Sequence, residues 1–241
     1  MYKNFLFDLD GTLLPMDMGR FVDKYIESIC RRFSPETGID PKRFAKGIWT
    51  GAGAMAKNDG NCLNIDVFWQ AMNEVCDRDM RVFTDDFDDY YRNEFIAAKE
   101  ATSVNPYARK SVEYIKQLGG RLIAATNPIF PKTATYRRIE WAGLDVSDFE
   151  YITTYDNSTC CKPNLNYFAD ICSVCGIVPE ESIMVGNDVD EDMCASRLGF
   201  STYLITDCLI NRKDKNINVY NHGTFEDFFK SLLRKTYKIY P

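Results

Sequence analysis

The hydrophobic positions of the chain follow two patterns, one before and one after about residue 101. A short apolar run at 3–9 is typical of a buried strand, and apolar residues then recur every three or four positions from 17 to 33. Helical patterns continue to about residue 101 without a convincing strand. From about residue 105, short apolar runs alternate with helical patterns, which predicts crossover units and a parallel sheet covered on both faces.

The alternating part of the chain predicts most of the sheet and its helices. Strands are predicted at 121–126, 149–154, 182–185 and 201–205, and helices at 107–118, 132–141, 164–174, 190–198 and 224–233. The first strand belongs to the same sheet, yet the long helical stretch separates it from the others. The simplest architecture is an α/β core, formed by residues 1–15 and 102–241, with a helical insert at 16–101.

Polar residues follow four of the predicted strands. In open parallel sheets, ligands bind outside the carboxyl ends of the strands. These ends carry, in chain order, Asp8-Leu9-Asp10-Gly11-Thr12, then Thr126-Asn127, then a loop with Lys162-Pro163, then Gly186-Asn187-Asp188 with Asp190 and Asp192 close behind. Each motif alone is common in proteins, but their order and their shared position at strand ends favour a functional site.

The residue types at these strand ends indicate phosphoryl transfer. Asp8 and Asp10 are two positions apart, so in an extended chain they project to the same side and would repel without a cation between them. Asp188 adds a third acid, and carboxylate oxygens without a soft ligand suit Mg²⁺. Lys162 and Thr126 supply donors for a phosphoryl group. An aspartate can attack phosphorus, so the first two acids divide into nucleophile and general acid/base.

The four motifs FDLDGTLL, AATN, CKPN and VGNDVDED, in this order, resemble those of the haloacid dehalogenase superfamily. The resemblance extends over residues 5–192, and the first motif is highly specific. It implies a Rossmann-like core, a covalent aspartyl intermediate and a Mg²⁺ cofactor. The insert at 16–101 resembles the helical cap of that family. Prolines near both of its boundaries, Pro15 and Pro106, predict a mobile cap that closes over the site.

The resemblance also assigns roles by position. Asp8 is similar to the family's nucleophile and metal ligand, Asp10 to its acid/base with a backbone carbonyl on the metal, and Asp188 to its metal-binding acid. Asn187 separates that acid from the glycine of the motif, which is a departure from many members, so Asp190 stays open as a ligand. The residues implied in phosphate binding are Asp10, Gly11, Thr126, Asn127 and Lys162, and Asp192 resembles the acid that orients the lysine.

The function predicted from these residues is hydrolysis of a phosphate monoester of a small soluble metabolite. Two alternatives stay open: a sugar phosphomutase that uses the same phosphoaspartate, and a non-catalytic member that only binds its ligand. Dehalogenation is disfavoured because that chemistry needs no second acid at Asp10. The natural substrate and the oligomeric state do not follow from the sequence.

Composition and charge limit the classes of binding partner and the cellular compartment that we expect for the protein. The 241 residues carry a net charge of -6, which gives no bulk attraction to nucleic acid or to an anionic membrane. The start of the chain lacks the pattern of a signal peptide, and no stretch approaches the ~18 apolar residues of a membrane span. Nine scattered cysteines favour a reducing cytoplasm over a disulfide scaffold, and the lone pair Cys172 and Cys175 does not supply a zinc site. The single histidine, His222, is predicted in a solvated turn.

Overall fold

A single parallel sheet forms the centre of the structure, a computed structural model that describes residues 2–237 and the side chains of residues 2–234. The strand order is β3-β2-β1-β4-β5-β6, and every neighbouring pair is parallel. The six strands are β1 (Asn4–Phe7), β2 (Arg121–Ala124), β3 (Tyr151–Ile152), β4 (Ser182–Gly186), β5 (Ser201–Ile205) and β6 (Asn221–Gly223). The strand β1 therefore lies inside the sheet, between β2 and β4.

The described residues contain eight α-helices. They are α1 (Met18–Thr37), α2 (Pro41–Ala56), α3 (Asn64–Cys76), α4 (Thr84–Asn93), α5 (Pro106–Gln117), α6 (Lys132–Trp141), α7 (Leu165–Cys175) and α8 (Phe225–Tyr237). Short 3-10 segments are Arg81–Phe83, Glu94–Ala101, Val146–Asp148, Pro179–Glu181, Met193–Leu198 and Ile217–Val219.

Side chains of β1 alternate between the two faces of the sheet, and helices cover both faces. Phe7 packs against the rings of Phe225 and Phe228 in α8, with ring centroids 6.2 and 5.9 Å away. Leu6 points the other way and joins a separate apolar cluster that includes Phe168 of α7. Because a strand buried on both faces carries apolar side chains on both, this packing explains the consecutive apolar residues at 5–7. The predicted α/β fold with a Rossmann-like parallel sheet is confirmed.

The chain between β1 and α5 is helical, as predicted. It holds α1 to α4 and the 3-10 segment Glu94–Ala101, and its interior is aromatic: the rings of Phe33 and Phe87 stack with centroids 4.1 Å apart. The two segments that join it to the sheet pair with each other. The amide of Asp17 donates to the carbonyl of Ala101, and the amide of Ser103 donates to that of Pro15, each over 2.9 Å.

Two local predictions are wrong. The helix predicted at 190–198 starts only at Met193 and is 3-10, because the Asp188 carboxylate accepts the backbone amides of Asp190 and Glu191 and holds them in a turn. His222 does not lie in a turn: it belongs to β6, which pairs with β5 at the edge of the sheet. This strand is short and exposed, so it carries no apolar alternation that the sequence pattern could reveal.

The nine cysteines are all free thiols. Within residues 2–237, none of the helices is both long and apolar enough to cross a membrane.

Candidate active site

A cavity of about 260 Å³ lies at the carboxyl ends of the strands, between the sheet and the helical insert. Seven of the eight site residues predicted from the sequence line it, namely Asp8, Asp10, Thr126, Asn127, Lys162, Asp188 and Asp192. They come from the chain that follows β1, β2, β3 and β4, which is where a parallel sheet binds its ligands. The eighth residue, Gly11, lies in the turn after β1.

Asp8 is fixed at the end of β1 by both its backbone and its side chain. Its amide donates to the carbonyl of Val185 in β4 over 2.9 Å, which continues the pairing of the two strands by one residue. One carboxylate oxygen accepts from Lys162 Nζ at 2.8 Å, and the other accepts from the Thr12 hydroxyl at 3.1 Å. With only 6% of its surface exposed, Asp8 presents a buried carboxylate to the cavity in a single orientation.

Lys162 lies between two buried acids. Its ammonium group is 2.6 Å from Asp192 Oδ1 as well as 2.8 Å from Asp8. Burial by itself lowers the pKa of Lys162, but the two carboxylates more than offset this effect and hold the pKa well above its ordinary value. The lysine is therefore a fixed positive charge in the floor of the cavity.

Asp192 orients both Lys162 and the loop that bears Asp188. Its second oxygen accepts the Asp188 amide over 2.9 Å. Burial raises the pKa of Asp192, and the neighbouring ammonium group acts in the opposite direction. Gly186 permits this approach, since a Cβ there would lie 2.2 Å from the Asp192 carboxyl group.

Asp10 pairs with Arg138, a residue that the sequence reasoning missed. The Arg138 guanidinium donates to Asp10 Oδ2, and it lies fully buried with its Cζ 4.3 Å from the centroid of the Phe130 ring. The other oxygen of Asp10 is buried and has no hydrogen-bond partner among the described residues. Burial raises the pKa of Asp10 above its ordinary value, although the charge of Arg138 opposes this rise.

Only a weak signal in the sequence could have identified Arg138. It follows Arg137 in α6, and a helical pattern does not by itself say which of two adjacent arginines faces inward. The spacing to Ala134, four positions earlier, places Arg138 on a buried face of the helix. Arg137 instead lies at the surface, with its guanidinium 3.0 Å from Glu140.

Asp188 and Asp190, which the sequence could not separate, have different surroundings. Asp188 is buried and lines the cavity, and its Oδ2 accepts from Arg212 over 2.5 Å. Asp190 does not line the cavity but pairs with Lys215 at 2.5 Å and Lys213 at 3.6 Å. Arg212 was also missed, because the stretch between β5 and β6 has no pattern that points to the site.

Thr126 and Asn127 follow β2 and join the loops around the cavity. The carbonyl of Thr126 accepts from the hydroxyls of Thr153 and Tyr167 over 2.6 and 2.9 Å. The Asn127 amide group donates to Glu191 at 2.9 Å, and its oxygen accepts the backbone amide of Lys162 at 3.2 Å. These bonds hold the ends of β2 and β4 and the loop after β3 in one arrangement.

Gly11 and Asn187 fit against each other. Gly11 has φ of +85°, and a Cβ there would lie 2.2 Å from Asn187 Nδ2, so the turn requires glycine. Asn187 accepts from the Thr12 hydroxyl over 3.0 Å and donates to the carbonyl of Cys208 over 2.7 Å. The extra residue in the fourth motif therefore joins the loop after β4 to the loop after β1.

The oxygen atoms at this edge of the sheet are of the type that binds a hard cation such as Mg²⁺. Asp8 and Asp188 bring buried carboxylates to one cavity, and none of the described residues that line it is a cysteine or a histidine. Within residues 2–237, no group of three or more acidic, histidine or cysteine side chains is arranged to hold a metal by itself. Mg²⁺ is usually bound by only one or two carboxylates, with waters and substrate oxygens, so two carboxylates fit this ion.

Solved structures share this fold over nearly the whole chain. A HAD phosphatase from Thermococcus onnurineus aligns with a TM-score of 0.61 and 20% identity, covering 95% of this chain and 97% of its own. A predicted phosphoglycolate phosphatase from Haemophilus somnus aligns with a TM-score of 0.57 and 18% identity, covering 96% and 98%. YfnB from Bacillus subtilis, whose magnesium-bound form reveals interdomain movement, aligns with a TM-score of 0.58 and 18% identity, covering 96% and 98%. At these identities the likeness concerns the fold.

A search of curated proteins gave no match. The family model of haloacid dehalogenase-like hydrolases matches residues 2–197, a range that includes all four motifs and every acid of the cavity. The chain therefore belongs to the haloacid dehalogenase-like hydrolases.

Proposed function

We propose that the chain is a Mg²⁺-dependent phosphatase that hydrolyses phosphate monoesters of small soluble metabolites through an aspartyl-phosphate on Asp8. The observation that carries the proposal is a buried group of three charged residues, Asp8, Lys162 and Asp192. Asp192 fixes the ammonium group of Lys162, which lies 2.8 Å from the Asp8 carboxylate. Such an array orients a nucleophile and neutralises the charge of a phosphoryl group. Asp10 lines the same cavity and supplies the second acid that phosphate ester hydrolysis needs.

The first half of the reaction transfers the phosphoryl group to the enzyme. A carboxylate oxygen of Asp8 attacks phosphorus, a bond forms between them, and the bond from phosphorus to the ester oxygen breaks. Asp10 gives its proton to the departing oxygen, so the alcohol leaves neutral. The raised pKa of Asp10 suits this role because its carboxyl group keeps a proton more readily than an ordinary aspartic acid.

The second half releases phosphate. Asp10, now ionised, takes a proton from a water molecule, the water oxygen attacks phosphorus, and the bond to Asp8 breaks. Bound Mg²⁺ would be held by Asp8, Asp188 and the backbone carbonyl of Asp10, where it would offset the charge of the acids and of the phosphoryl oxygens. Lys162 keeps its proton in both halves and neutralises the phosphoryl oxygens.

The helical insert at 16–101 is, in this proposal, the cap that closes the site. It walls one side of a cavity of about 260 Å³, so a phosphoprotein or a nucleic acid does not fit, whereas a small metabolite does. The core then comprises residues 1–15 and 102–241.

The proposal is tested by phosphate release from a generic aryl phosphate in the presence of Mg²⁺. Acid quenching during turnover, followed by mass spectrometry, should find a phosphoryl group on the peptide that contains Asp8. Conversion of a sugar phosphate to its isomer without net phosphate release would instead identify a mutase. Absence of turnover with a broad panel of phosphate esters would leave only a binding role.

A further inference from the structure

The two sides of the cavity differ sharply in polarity. Every charged residue of its lining comes from the sheet side, whereas the insert contributes eleven lining residues, none of which is charged. On the insert side the wall consists of aromatic and aliphatic side chains such as Phe21, Tyr25, Ile48, Trp49 and Tyr91. One end of the cavity thus suits a phosphoryl group and the other suits an apolar group.

The tyrosine hydroxyls on the insert side form a hydrogen bond with each other. The hydroxyls of Tyr25 and Tyr91 form a hydrogen bond of 2.8 Å, and both rings are buried. Tyr25 also packs edge-on against Phe130 of the core, with ring centroids 5.3 Å apart. The wall therefore offers ring faces and edges rather than a set of free donors and acceptors.

A polyhydroxylated leaving group would fit this wall poorly. Each sugar hydroxyl that loses its hydrogen bonds to water without gaining a partner weakens binding. An aromatic ring gains instead, because it buries apolar area and finds other rings in edge-on or offset geometry. Trp49 is well placed for such a contact: it lines the cavity, yet 54% of its surface stays exposed.

We infer that the substrates are phosphate monoesters whose leaving group carries an aromatic ring, with the ring held between the insert and the core and the phosphoryl group held at Asp8. This inference rests on the proposed phosphatase function and specifies its substrate class. Hydrophobic side chains of the insert, and not a hydrogen-bonding network, select the leaving group.

The test compares two primary alkyl phosphates of similar intrinsic reactivity, benzyl phosphate and glucose 6-phosphate, with Mg²⁺ present. The ratio of their kcat/KM values, benzyl over glucose, is expected to be about 10 or more, mainly through a lower KM for the benzyl ester. In Trp49→Ala the ratio should fall about 3- to 10-fold, which is the loss of one ring contact. Val82→Ala is the matched control, since Val82 is an exposed apolar residue of the insert that does not line the cavity.

The outcomes separate the inference from the function on which it rests. Preference for glucose 6-phosphate, or an equal fall for both esters in Trp49→Ala, would overturn the inference and leave a phosphatase. Turnover of neither ester, nor of any other phosphate monoester, would overturn both. Thermal unfolding of each variant checks that a lower activity does not come from loss of the fold. Trp49 is half exposed, so its replacement by alanine should change the unfolding temperature little.

Discussion

The guanidinium of Arg138 is buried against the carboxylate of Asp10, the residue we propose as acid and base. A charged group without solvent exposure needs a partner, and here the partner is a group that must gain and lose a proton. Arg138 also contacts Thr135 Oγ1 at 3.3 Å and packs on the ring of Phe130, so it has little freedom to move. It therefore fixes where the Asp10 carboxyl group points.

Arg138→Met should impair proton transfer more than phosphoryl transfer as such. A placed general acid is worth roughly 10²- to 10⁴-fold, so partial misplacement should lower kcat/KM for benzyl phosphate, which reports the transfer to Asp8 and not the later hydrolysis, by about 10-fold or more. The fall should be smaller for 4-nitrophenyl phosphate, whose leaving group departs without a proton. Arg137→Met, next to it on the surface, is the control and should behave like the wild type. An equal loss for both esters would reduce Arg138 to a structural role.

Asp8→Asn should abolish turnover, and Asp10→Asn should slow it by roughly 10²- to 10⁴-fold. The two variants differ in what they accumulate. With 4-nitrophenyl phosphate, Asp10→Asn should still release the phenol once and then stall, because no base activates the water. Rapid mixing should therefore record a burst equal to the enzyme concentration for Asp10→Asn and none for Asp8→Asn. Near-normal activity in folded Asp8→Asn would refute the assignment of the nucleophile.

Removal of Mg²⁺ by exhaustive chelation should abolish activity, and added Mg²⁺ should restore it. Asp188→Ala should raise the Mg²⁺ concentration needed for half-maximal activity by about 10-fold or more. Loss of one carboxylate ligand should weaken Mg²⁺ binding by more than about 1.4 kcal/mol, which corresponds to this factor. Asp190→Ala is the matched control because Asp190 pairs with Lys213 and Lys215 outside the cavity. The reverse order of the two variants would move the ligand to Asp190.

Lys162→Ala should both raise KM and lower kcat, since its charge acts on bound substrate and on the transition state. The same change leaves Asp8 and Asp192 buried without a counter-charge, which should lower the free energy of unfolding by roughly 3–5 kcal/mol. The double variant Lys162→Ala with Asp192→Asn should recover part of that stability but not the activity. Urea denaturation and kinetics together check this, and an unchanged kcat/KM in Lys162→Ala would mark the lysine as a bystander.

The sequence predicted the parts of the site that are local in the chain. Asp8, Thr126 and Asp188 lie within two residues of a strand end, so recognising the strand also placed the residue, and Lys162 was placed by its loop between β3 and α7. Their convergence in one cavity then follows from the parallel sheet, whose strands end at the same edge.

Contacts made across the fold could not be predicted in this way. Arg138 reaches Asp10 from α6, and Arg212 reaches Asp188 from the stretch between β5 and β6. Neither arginine lies in one of the four motifs, and an arginine outside a motif is by default expected at the surface. The turn at 188–192 was missed for a related reason. The Asp188 side chain accepts backbone amides that a helix would otherwise use, and the spacing of apolar residues does not reveal such a hydrogen bond.

Hydrogen bonds tie the insert to the core at several places. Its two connections form the paired segment at Pro15 and Ser103, which can act as a hinge. At its other end, the start of α3 is bound to the loop after β3: the amide of Asn64 donates to the carbonyl of Ser158 over 2.8 Å, and the amide of Ile65 donates to that of Tyr155 over 3.0 Å. A lid that opens must break the bonds at the start of α3 and also those between α6 and α4, such as the one from the Thr133 hydroxyl to Asp88, and keep the paired connections.

We predict that the insert opens and closes in this way, and that a bound phosphate analogue favours the closed form. Closure excludes water from the phosphoryl group during its transfer to Asp8, which is the physical reason for a lid over a charged site. Hydrogen exchange reads the motion directly, because the amides of Asn64 and Ile65 are protected only while they donate to the core. Their exchange should slow with Mg²⁺ and beryllium fluoride, while that of Ser103, on the hinge, should not change. Equal exchange at Asn64 and Ile65 with and without the analogue would show a rigid insert that serves only to bury apolar surface.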